Sequence, residues 1–383
     1  MSTGIFAERP VSRKKTDAGL IVSIILLMGL GLITLYVSSA SYAARAKDSE
    51  FYFLHRQLIA AGVGILFMIA ASCISMDFIR KLLPVIVVVC FLMCFLPFIP
   101  GIGVEKNGAR RWVALPAGGT FQPSELAKIG VVLFLANLFD KKRDKLDNPA
   151  VSVYPAAFGL FAFVIVVFLQ DDFSTAFFIL ILGFIIFFLA GVYLRWFVAF
   201  CIFAIPVALL FVFSEEYRVN RLIAFLRPDY DIHGMNFQLS ASRRAITAGG
   251  FWGSGFGTGL RYARNIPEVQ ADFVFAGWCE AMGFFGVLLY FAILLYFGWR
   301  VVSIARHAGN RFEALAAIGC GTSVVMQSLI NCGVVCGALP STGINLPFFS
   351  AGGSSVIVMM IACGLLINIS RKEFEIVPEN YYE

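Results

Sequence analysis

An aspartate at the start of a long apolar run is the first candidate for chemistry. Asp272 lies within "NIPEVQADFVFAGW" (Asn265–Trp278). Ionised side chains are costly near hydrocarbon and are retained there mainly for function. A carboxylate at this position can accept a proton from an attacking hydroxyl group, and a nearby helix N-terminus is expected to keep it ionised. Plain capping of that helix needs the same residue type, so position alone leaves both roles open for Asp272.

Arginines dominate the segment that precedes this aspartate. The stretch from about Ser214 to Ala271 carries seven arginines and no lysine, namely Arg218, Arg221, Arg227, Arg243, Arg244, Arg261 and Arg264. The planar guanidinium fork matches phosphate or carboxylate oxygens in a bidentate way that lysine cannot. The choice of arginine therefore predicts an anionic ligand. Interfacial anchoring, with ion pairs to acidic residues of the same loop, is the alternative.

Two earlier motifs add polar candidates. "GARRW" places Arg111 and Trp112 together, a cationic and aromatic pair that suits either a ligand or the membrane interface. "QPSELAK" places Lys128 three residues after Glu125, so the two can pair on one helix face. A capped helix start with a long lysine reaching the interface is the simpler interpretation of that second motif.

Two outer turns carry the remaining candidates. In "LQDDFSTA", Asp172 can cap the next helix through Thr175. In "LPSTGINLPFFSAGGSS", the small residues around Ser354 and Ser355 suit close helix packing, and a surface for lipid head groups is the alternative.

The composition decides which elements must position these residues. Hydrophobic residues make up 59% of the 383-residue chain, charged residues 14%, and the mean hydropathy is +0.83. A water-soluble chain of this length needs far more polar surface. The sequence predicts an all-α integral membrane protein with about ten transmembrane helices and a large extracytoplasmic loop, about 214–271, between helices 7 and 8. The predicted spans are about 19–41, 57–76, 81–101, 124–139, 153–170, 173–191, 194–213, 272–299, 313–338 and 347–369.

Lysine and arginine in the short loops predict the orientation. An even number of spans puts both termini on one side, where the basic run "DKKRDKLD" (Asp140–Asp147) also falls. We therefore expect cytoplasmic tails at 1–18 and 371–383, a membrane domain at 19–370, and Asp272 on the outer face. The net charge of +6 reflects this asymmetry and does not indicate nucleic-acid binding. Three scattered histidines and cysteines without CxxC spacing predict no metal site.

Six segments together resemble one family over almost the whole chain. They are "NGARRWVAL…QPSELAK", "LQDDFSTA", "YRVNRLIAFLRPDYD", "FQLSASRRAITAGGFWGSGFG", "IPEVQADFVFA" and "PSTGINLPFFSAGGSS". In this order and spacing they are similar to the SEDS family of bacterial membrane proteins, which includes the division protein FtsW, its elongation relative RodA and the sporulation member SpoVE. "EFYFLHRQL" and "GSGFGTGLRYARNIPE" resemble FtsW more than RodA.

The resemblance implies a ten-helix fold and a peptidoglycan glycosyltransferase that polymerises lipid II into glycan strands during septal wall synthesis. It implies that Asp272 is the catalytic base. Carried onto the matching motifs, it implies substrate contacts from Arg111, Trp112, Lys128, Arg218, Arg221, Gln238, Ser242, Arg243, Glu268, Ser354 and Ser355. It further implies the bacterial inner membrane at the division septum as location. The implied partners are a class b penicillin-binding transpeptidase, other divisome membrane proteins, the lipid bilayer and the nascent glycan strand.

The residues fit this activity independently. The chain has no segment large enough to hold a nucleotide sugar in a soluble domain, so a sugar donor has to arrive linked to lipid. Conversion of an α-linked pyrophosphate into a β-linked glycan is one inverting displacement, with a carboxylate base and cations for the leaving group. No cofactor is predicted; Mg²⁺ or Mn²⁺ arriving with the pyrophosphate stays open. A lipid II flippase, a RodA-type elongation polymerase and a pure division scaffold are the alternatives.

The chain departs from the family pattern at four places. Gln270 and Ala271 replace a usual His-Thr before the aspartate, and "EAMG", which begins at Glu280, stands for a usual Glu-Glu-Leu-Gly after it. Ala351 replaces a tyrosine before the paired glycines, and Asp171 replaces a proline. Because the aspartate, the Arg–Trp pair and the glycine frames remain, we expect the activity to be retained.

Overall fold

The chain folds into a bundle of membrane-length helices with a small sheet on one end. The computed structural model describes residues 11–13, 16–106, 108–116, 119–213, 216–227, 236–256 and 260–374. The predicted tails therefore lie largely outside the described residues. The side chain of Arg218, one of the predicted substrate contacts, lies outside them too.

Twelve α-helices lie in the described part of the chain. They are α1 Ala18–Lys47, α2 Tyr52–Cys73, α3 Met76–Met93, α4 Pro123–Lys141, α5 Val153–Leu169, α6 Phe173–Leu189, α7 Leu194–Phe213, α8 Glu216–Leu226, α9 Phe237–Gly249, α10 Val274–Arg306, α11 Arg311–Cys336 and α12 Gly353–Ser370. Each predicted span overlaps one of these helices. The sequence did not predict α8 and α9, which lie inside the large loop, as helices.

Six of the described helices are long and apolar enough to cross a membrane: α1, α2, α3, α10, α11 and α12. The apolar helices α5 and α6, with 17 residues each, are somewhat shorter than the usual span. Helix α4 is charged at both ends, with Glu125 and Lys128 near its start and Asp140 and Lys141 near its end. The chain is a multi-pass membrane protein, and the total of ten crossings stays a prediction.

The residues that the structure describes also form five short strands. They are β1 Val11–Arg13, β2 Gly103–Lys106, β3 Ala109–Ala114, β4 Thr120–Phe121 and β5 Lys372–Phe374. Strands β2, β3 and β4 form an antiparallel sheet in the segment between α3 and α4, and β1 pairs with β5. The sheet holds Arg111 and Trp112 on β3, next to the N-terminus of α4.

Helix α4 lies at the centre of the bundle. It packs against α3, α5, α6 and α11, and most of its residues are buried. Helix α12 packs along α2, and α1 packs along α10. Since α4 starts with Pro123, whose fixed φ suits the first helical position, its first turn is defined by the sequence. This turn carries Glu125 and lies beneath the sheet, so the outer end of the bundle brings several polar motifs together.

Candidate active site

Asp272 lines a cavity of about 420 Å³ at the end of the bundle where the large loop lies. Helix α8, the start of α9, the segment around Asp272 and the 339–343 loop form its wall. The lining residues are Asn220, Arg221, Ala224, Phe225, Asn236, Gln238, Leu239, Asp272, Phe273, Val334, Leu339, Pro340, Ser341 and Gly343. The cavity therefore joins the predicted base to one predicted arginine and one predicted amide.

Asp272 does not cap a helix. Helix α10 begins at Val274, and its N-cap residue is Phe273, without a side-chain capping bond. The alternative role of Asp272 as a plain cap is therefore wrong, because the helix starts one residue later than a cap at this position requires. Instead, Asn331 Nδ2 of α11 donates to the backbone carbonyl of Asp272 over 2.9 Å.

The surroundings of the Asp272 carboxyl group raise its pKa. Burial is the main cause, and the negative charge of Glu268 adds to it, so the pKa rises from 3.8 to about 6. Arg111 and Arg221 act in the opposite direction. Burial therefore outweighs the favourable charges of the two arginines. A carboxyl group with a pKa of about 6 is ionised at neutral pH and can still take up a proton.

Two of the predicted arginines act on Asp272. Arg221 of α8 lines the cavity, and its Nη1 donates to the backbone carbonyl of Ser341 over 3.2 Å. Arg111 approaches from the sheet side, stacks over the Trp112 ring at 4.4 Å, and has a buried Nε without a hydrogen-bond partner among the described residues. Both side chains place positive charge beside the same carboxylate.

A buried polar cluster ties Arg111 to the core. Arg111 Nη1 lies 3.3 Å from Asp172 Oδ1. The other oxygen of that carboxylate accepts from Gln122 Nε2 at 2.6 Å and from Ser124 Oγ at 3.0 Å. Asp172 occupies the N-cap position of α6 but makes no side-chain capping bond. The hypothesis that it caps through its side chain is wrong, because Arg111, Gln122 and Ser124 take its oxygens.

Lys128 belongs to a second buried cluster. Its Nζ donates to Glu125 Oε1 and to Gln327 Oε1, both over 2.8 Å, and only 2% of its side chain is exposed. Gln327 in turn donates to Ser355 Oγ over 3.2 Å. The predicted Glu125–Lys128 pair is thus present. The cluster lies inside the bundle, so the lysine does not reach the interface as the simpler interpretation required.

Of the other predicted contact residues, one lines the cavity and two form hydrogen bonds to other segments of the protein. Gln238 lines the cavity and donates to the Pro267 carbonyl over 3.1 Å. Ser242 is fully buried and donates to the Val335 carbonyl, while Ser354 Oγ accepts from the backbone N–H of Gln122 over 3.0 Å. Both serines hold segments together, and neither lines the cavity.

Arg243 and Glu268 also lie away from the cavity wall. The guanidinium of Arg243 covers Gly337, the C-cap residue that follows α11. A cation is favourable there because it lies near the last carbonyl groups of the helix. Glu268 is exposed in a turn with a positive φ of 52° and affects Asp272 by its charge. The structure therefore brings together Asp272, Arg111, Arg221 and Gln238, with Glu268 close by.

Sequence reasoning missed several residues that build the site. Asn331 donates to the carbonyls of both Asp272 and Ile344, and Gln327 connects Lys128 to Ser355. Both are amides inside a predicted apolar span, a signal that the sequence contains because polar side chains within a span tend to be functional. Glu280 was named in the family pattern but was given no role. Its carboxylate accepts hydrogen bonds from the backbone N–H groups of residues 261–263 and so holds the segment that leads to Asp272.

Two departures from the family pattern lie in contact. The backbone N–H of Ala351 donates to the carbonyl of Gln270 over 2.7 Å, and Gln270 is buried. The loop before α12 is therefore tied to the segment that carries Asp272 by backbone atoms, which any side chain at position 351 leaves available.

Known proteins are similar to this chain over most of its length. The family model FTSW_RODA_SPOVE, described as "Cell cycle protein", matches residues 18–375. Stage V sporulation protein E of Bacillus subtilis is 34% identical over 94% of this chain and 99% of its own length. A probable peptidoglycan glycosyltransferase FtsW from Geobacter sp. (strain M18) is 33% identical over 93% of this chain and 97% of its own.

Solved structures share the architecture. A chain from work on structural coordination of polymerization and crosslinking by a peptidoglycan synthase complex matches with a TM-score of 0.77 and 27% identity, covering 93% of this chain and 98% of that one. The rod shape determining protein RodA of Thermus thermophilus matches with a TM-score of 0.68 and 25% identity, covering 93% and 97%. The arrangement of helices is therefore common to these proteins.

Proposed function

This chain belongs to the FtsW/RodA/SpoVE family of cell cycle proteins, and from that premise we propose that it is a peptidoglycan glycosyltransferase that polymerises lipid II. The observation that carries the proposal is the cavity in which Asp272 and Arg221 face the same space, with Arg111 close enough to act on the same carboxylate. A base beside guanidinium groups suits transfer of a sugar from a pyrophosphate.

Asp272 is the general base of the proposed reaction. The 4-hydroxyl group of the acceptor sugar attacks the anomeric carbon of the donor, and Asp272 takes the hydroxyl proton as the new bond forms. A positioned base contributes roughly 10²- to 10⁴-fold to the rate of such a step. Its pKa, raised to about 6, lies closer to neutral pH than that of an ordinary aspartate, which favours this role.

The arginines stabilise the departing undecaprenyl pyrophosphate. Arg221 lies in the wall of the cavity, and the positive charge of Arg111 acts on the Asp272 carboxyl group that faces the same space. Guanidinium groups held in place before the reaction stabilise developing negative charge without reorganisation. Arg218 lies on α8, one turn before Arg221, and we assign it to the same anionic group. A divalent cation that arrives with the pyrophosphate is compatible with this arrangement.

The cellular setting completes the proposal. We place the chain in the bacterial cytoplasmic membrane, with both termini on the cytoplasmic side and a role at the division septum. One related structure comes from a peptidoglycan synthase complex that also crosslinks, which supports a penicillin-binding transpeptidase as partner. The similarity to FtsW proteins supports division over elongation.

The decisive experiment supplies purified protein in proteoliposomes with labelled lipid II and follows both glycan strands and transbilayer movement. We expect strands from the parent protein, and a loss of about 10²- to 10⁴-fold with Asp272→Asn. Asp48→Asn is the matched control, because Asp48 is exposed at the end of α1 in a left-handed conformation that asparagine also adopts. Lipid movement without strands would establish a flippase, and unchanged turnover of Asp272→Asn would remove the base from the mechanism.

A further inference from the structure

Helix α10 is broken at Gly283. This residue has φ 60° and ψ −159°, far from helical values, between two helical halves. A break leaves carbonyl groups without partners in the next turn. Here the carbonyl of Glu280 accepts from the N–H of Ser254 over 2.9 Å, and that of Ala281 accepts from the N–H of Gly255 over 3.0 Å. Residues from outside the helix therefore complete its hydrogen bonds.

Residues close to Ser254 and Gly255 in the sequence accept hydrogen bonds from the N–H groups on the other side of the break. The N–H groups of Phe284 and Phe285 donate to the carbonyls of Gly250 and Phe251 over 2.9 Å and 3.1 Å. We call residues Gly249–Gly255, which begin with the last residue of α9, the plug segment. Backbone groups of the plug segment and of the break thus form hydrogen bonds with each other. These polar groups therefore do not need water as a partner.

Glycines make this close approach sterically feasible. A Cβ atom on Gly253, which has φ 84°, would lie 2.1 Å from the Ala281 carbonyl oxygen. One on Gly283 would lie 2.4 Å from the Gly253 nitrogen, and one on Gly249 would lie 2.1 Å from the Cys279 carbonyl oxygen. Any side chain at these positions would collide with backbone atoms. The three glycines therefore allow the plug segment to pack directly against the break.

The break lies within the thickness of a bilayer. At the far end of α10, Arg300 forms an ion pair with Asp17, which caps the start of α1. The 17 residues from Gly283 to Arg300 correspond to about 26 Å at helical rise, within the hydrocarbon thickness of about 30 Å. The first half of the helix, Val274–Ala281, is buried throughout, and its Phe275 ring packs against Tyr290 of the second half at 5.2 Å, whereas Phe284 and later residues are exposed on one side.

Aromatic side chains cover the outside of this junction. Phe251 is 55% exposed and Trp252 is 76% exposed. Their rings lie beside Phe284 and Phe285, at 5.8 Å for Phe251–Phe284 and 6.1 Å for Trp252–Phe285. The patch continues into the exposed apolar side of α10, where Leu288 is 51% exposed. No charged residue occurs from 245 to 260 in the sequence, although arginines stand on both sides.

We propose that the plug segment is a re-entrant membrane element, and that the aromatic patch of Phe251, Trp252, Phe284 and Phe285 lies against lipid acyl chains. Non-helical backbone occurs at membrane depth only where its polar groups are satisfied by protein, and the four hydrogen bonds across the break meet that condition. The continuity of the patch with the apolar side of a membrane-length helix identifies lipid as its occupant.

The re-entrant element has a consequence for the site. The buried first half of α10 starts two residues after Asp272. It is joined to the second half through Gly283, through the plug segment and through a 2.9 Å hydrogen bond from Trp278 Nε1 to the Gly286 carbonyl. Anchoring the plug segment in lipid therefore sets the height of Asp272 relative to the membrane surface.

The test measures tryptophan emission of the full-length protein in lipid nanodiscs. The difference between the parent and Trp252→Phe isolates the emission of Trp252. We expect a loss of this emission with phosphatidylcholine brominated near the middle of its acyl chains, and little loss with aqueous iodide. Trp299→Phe is the matched control, since Trp299 is 59% exposed on α10 near its other end and should also be quenched by bromolipid.

A second pair of variants tests the packing of the plug segment. Gly253→Ala should make Trp252 more sensitive to iodide, because the added Cβ collides with the Ala281 carbonyl. Gly255→Ala introduces the same left-handed strain, at φ 82°, but its Cβ meets open space, so the exposure of Trp252 should stay unchanged. Quenching of Trp252 by iodide in the parent would overturn the proposal, as would emission that neither reagent quenches, which would show a protein partner or a second copy covering the patch.

Discussion

Asn331 holds the backbone carbonyl of Asp272 through a 2.9 Å hydrogen bond from its Nδ2 atom. The same nitrogen donates to the Ile344 carbonyl over 2.8 Å, so a single amide on α11 fixes the segment before α10 and the loop before α12. The proposed base is therefore positioned by a different helix from the one that follows it.

Asn331→Ala is expected to reduce polymerisation of lipid II by about 100-fold, since a misplacement of the order of 1 Å can cost that much. Stability should fall by about 1–3 kcal/mol, because two buried carbonyls lose their donor. Asn368→Ala is the matched control: Asn368 also donates to two carbonyls, those of Ala71 and Ile74, but on α12 away from the cavity. An equal loss of turnover in both variants would show that Asn331 acts only on stability.

The polymerisation rate should rise with pH and level off above about pH 6, the pKa to which burial and Glu268 raise the Asp272 carboxyl group. A base works only in its deprotonated form, so activity follows the ionised fraction. Glu268→Gln removes the neighbouring negative charge and should shift the profile to lower pH. Initial rates measured across this range test the assignment, and a profile that Asp272→Asn leaves unchanged in shape would contradict it.

The same raised pKa has a consequence for stability. The folded state holds the Asp272 proton more tightly than the unfolded chain does, so this group's contribution falls as pH rises from 3.8 to about 6. Above that range the buried charge is unfavourable, and Asp272→Asn should be no less stable than the parent. Thermal unfolding in detergent at both ends of the range provides the measurement.

Arg111→Lys is expected to lower kcat/KM for lipid II by about 10- to 100-fold, the value of one strong hydrogen bond to a charged group. Lysine keeps the charge, but it cannot stack on Trp112, reach Asp172 and still present a second nitrogen to an anion. Arg110→Lys is the control from the neighbouring position, because Arg110 pairs with Glu105 at the exposed surface. Similar kinetics for the two variants would mean that Arg111 supplies only general positive charge.

Lys128→Met is expected to destabilise the protein by about 3–5 kcal/mol, because it leaves Glu125 buried without its cation. The double variant Glu125→Gln with Lys128→Met should recover most of this loss, since no uncompensated charge remains. Thermal unfolding of the three proteins measures the coupling. A single variant as stable as the parent would show that water or another group already neutralises Glu125.

The sequence by itself determined the class of the protein and the kinds of residue at its site. Long apolar runs are local features, and each one becomes a helix whatever its neighbours, so the helices α1 to α7 and α10 to α12 overlap the predicted spans. The choice of arginine over lysine and an acidic residue beside an apolar run are likewise local, and they indicated Arg111, Arg221 and Asp272.

Only the tertiary structure decided which of these residues meet. Asp272 and Arg111 are 161 positions apart in the sequence, and the packing of α4, α10 and α11 decides whether they lie close together. Periodicity gives each helix a buried face, but it does not say which helix covers that face. The positions of Lys128 and Ser242 inside the bundle, the support of Asp272 by Asn331 and the raised pKa of Asp272 all depend on burial by distant segments, which no local pattern specifies.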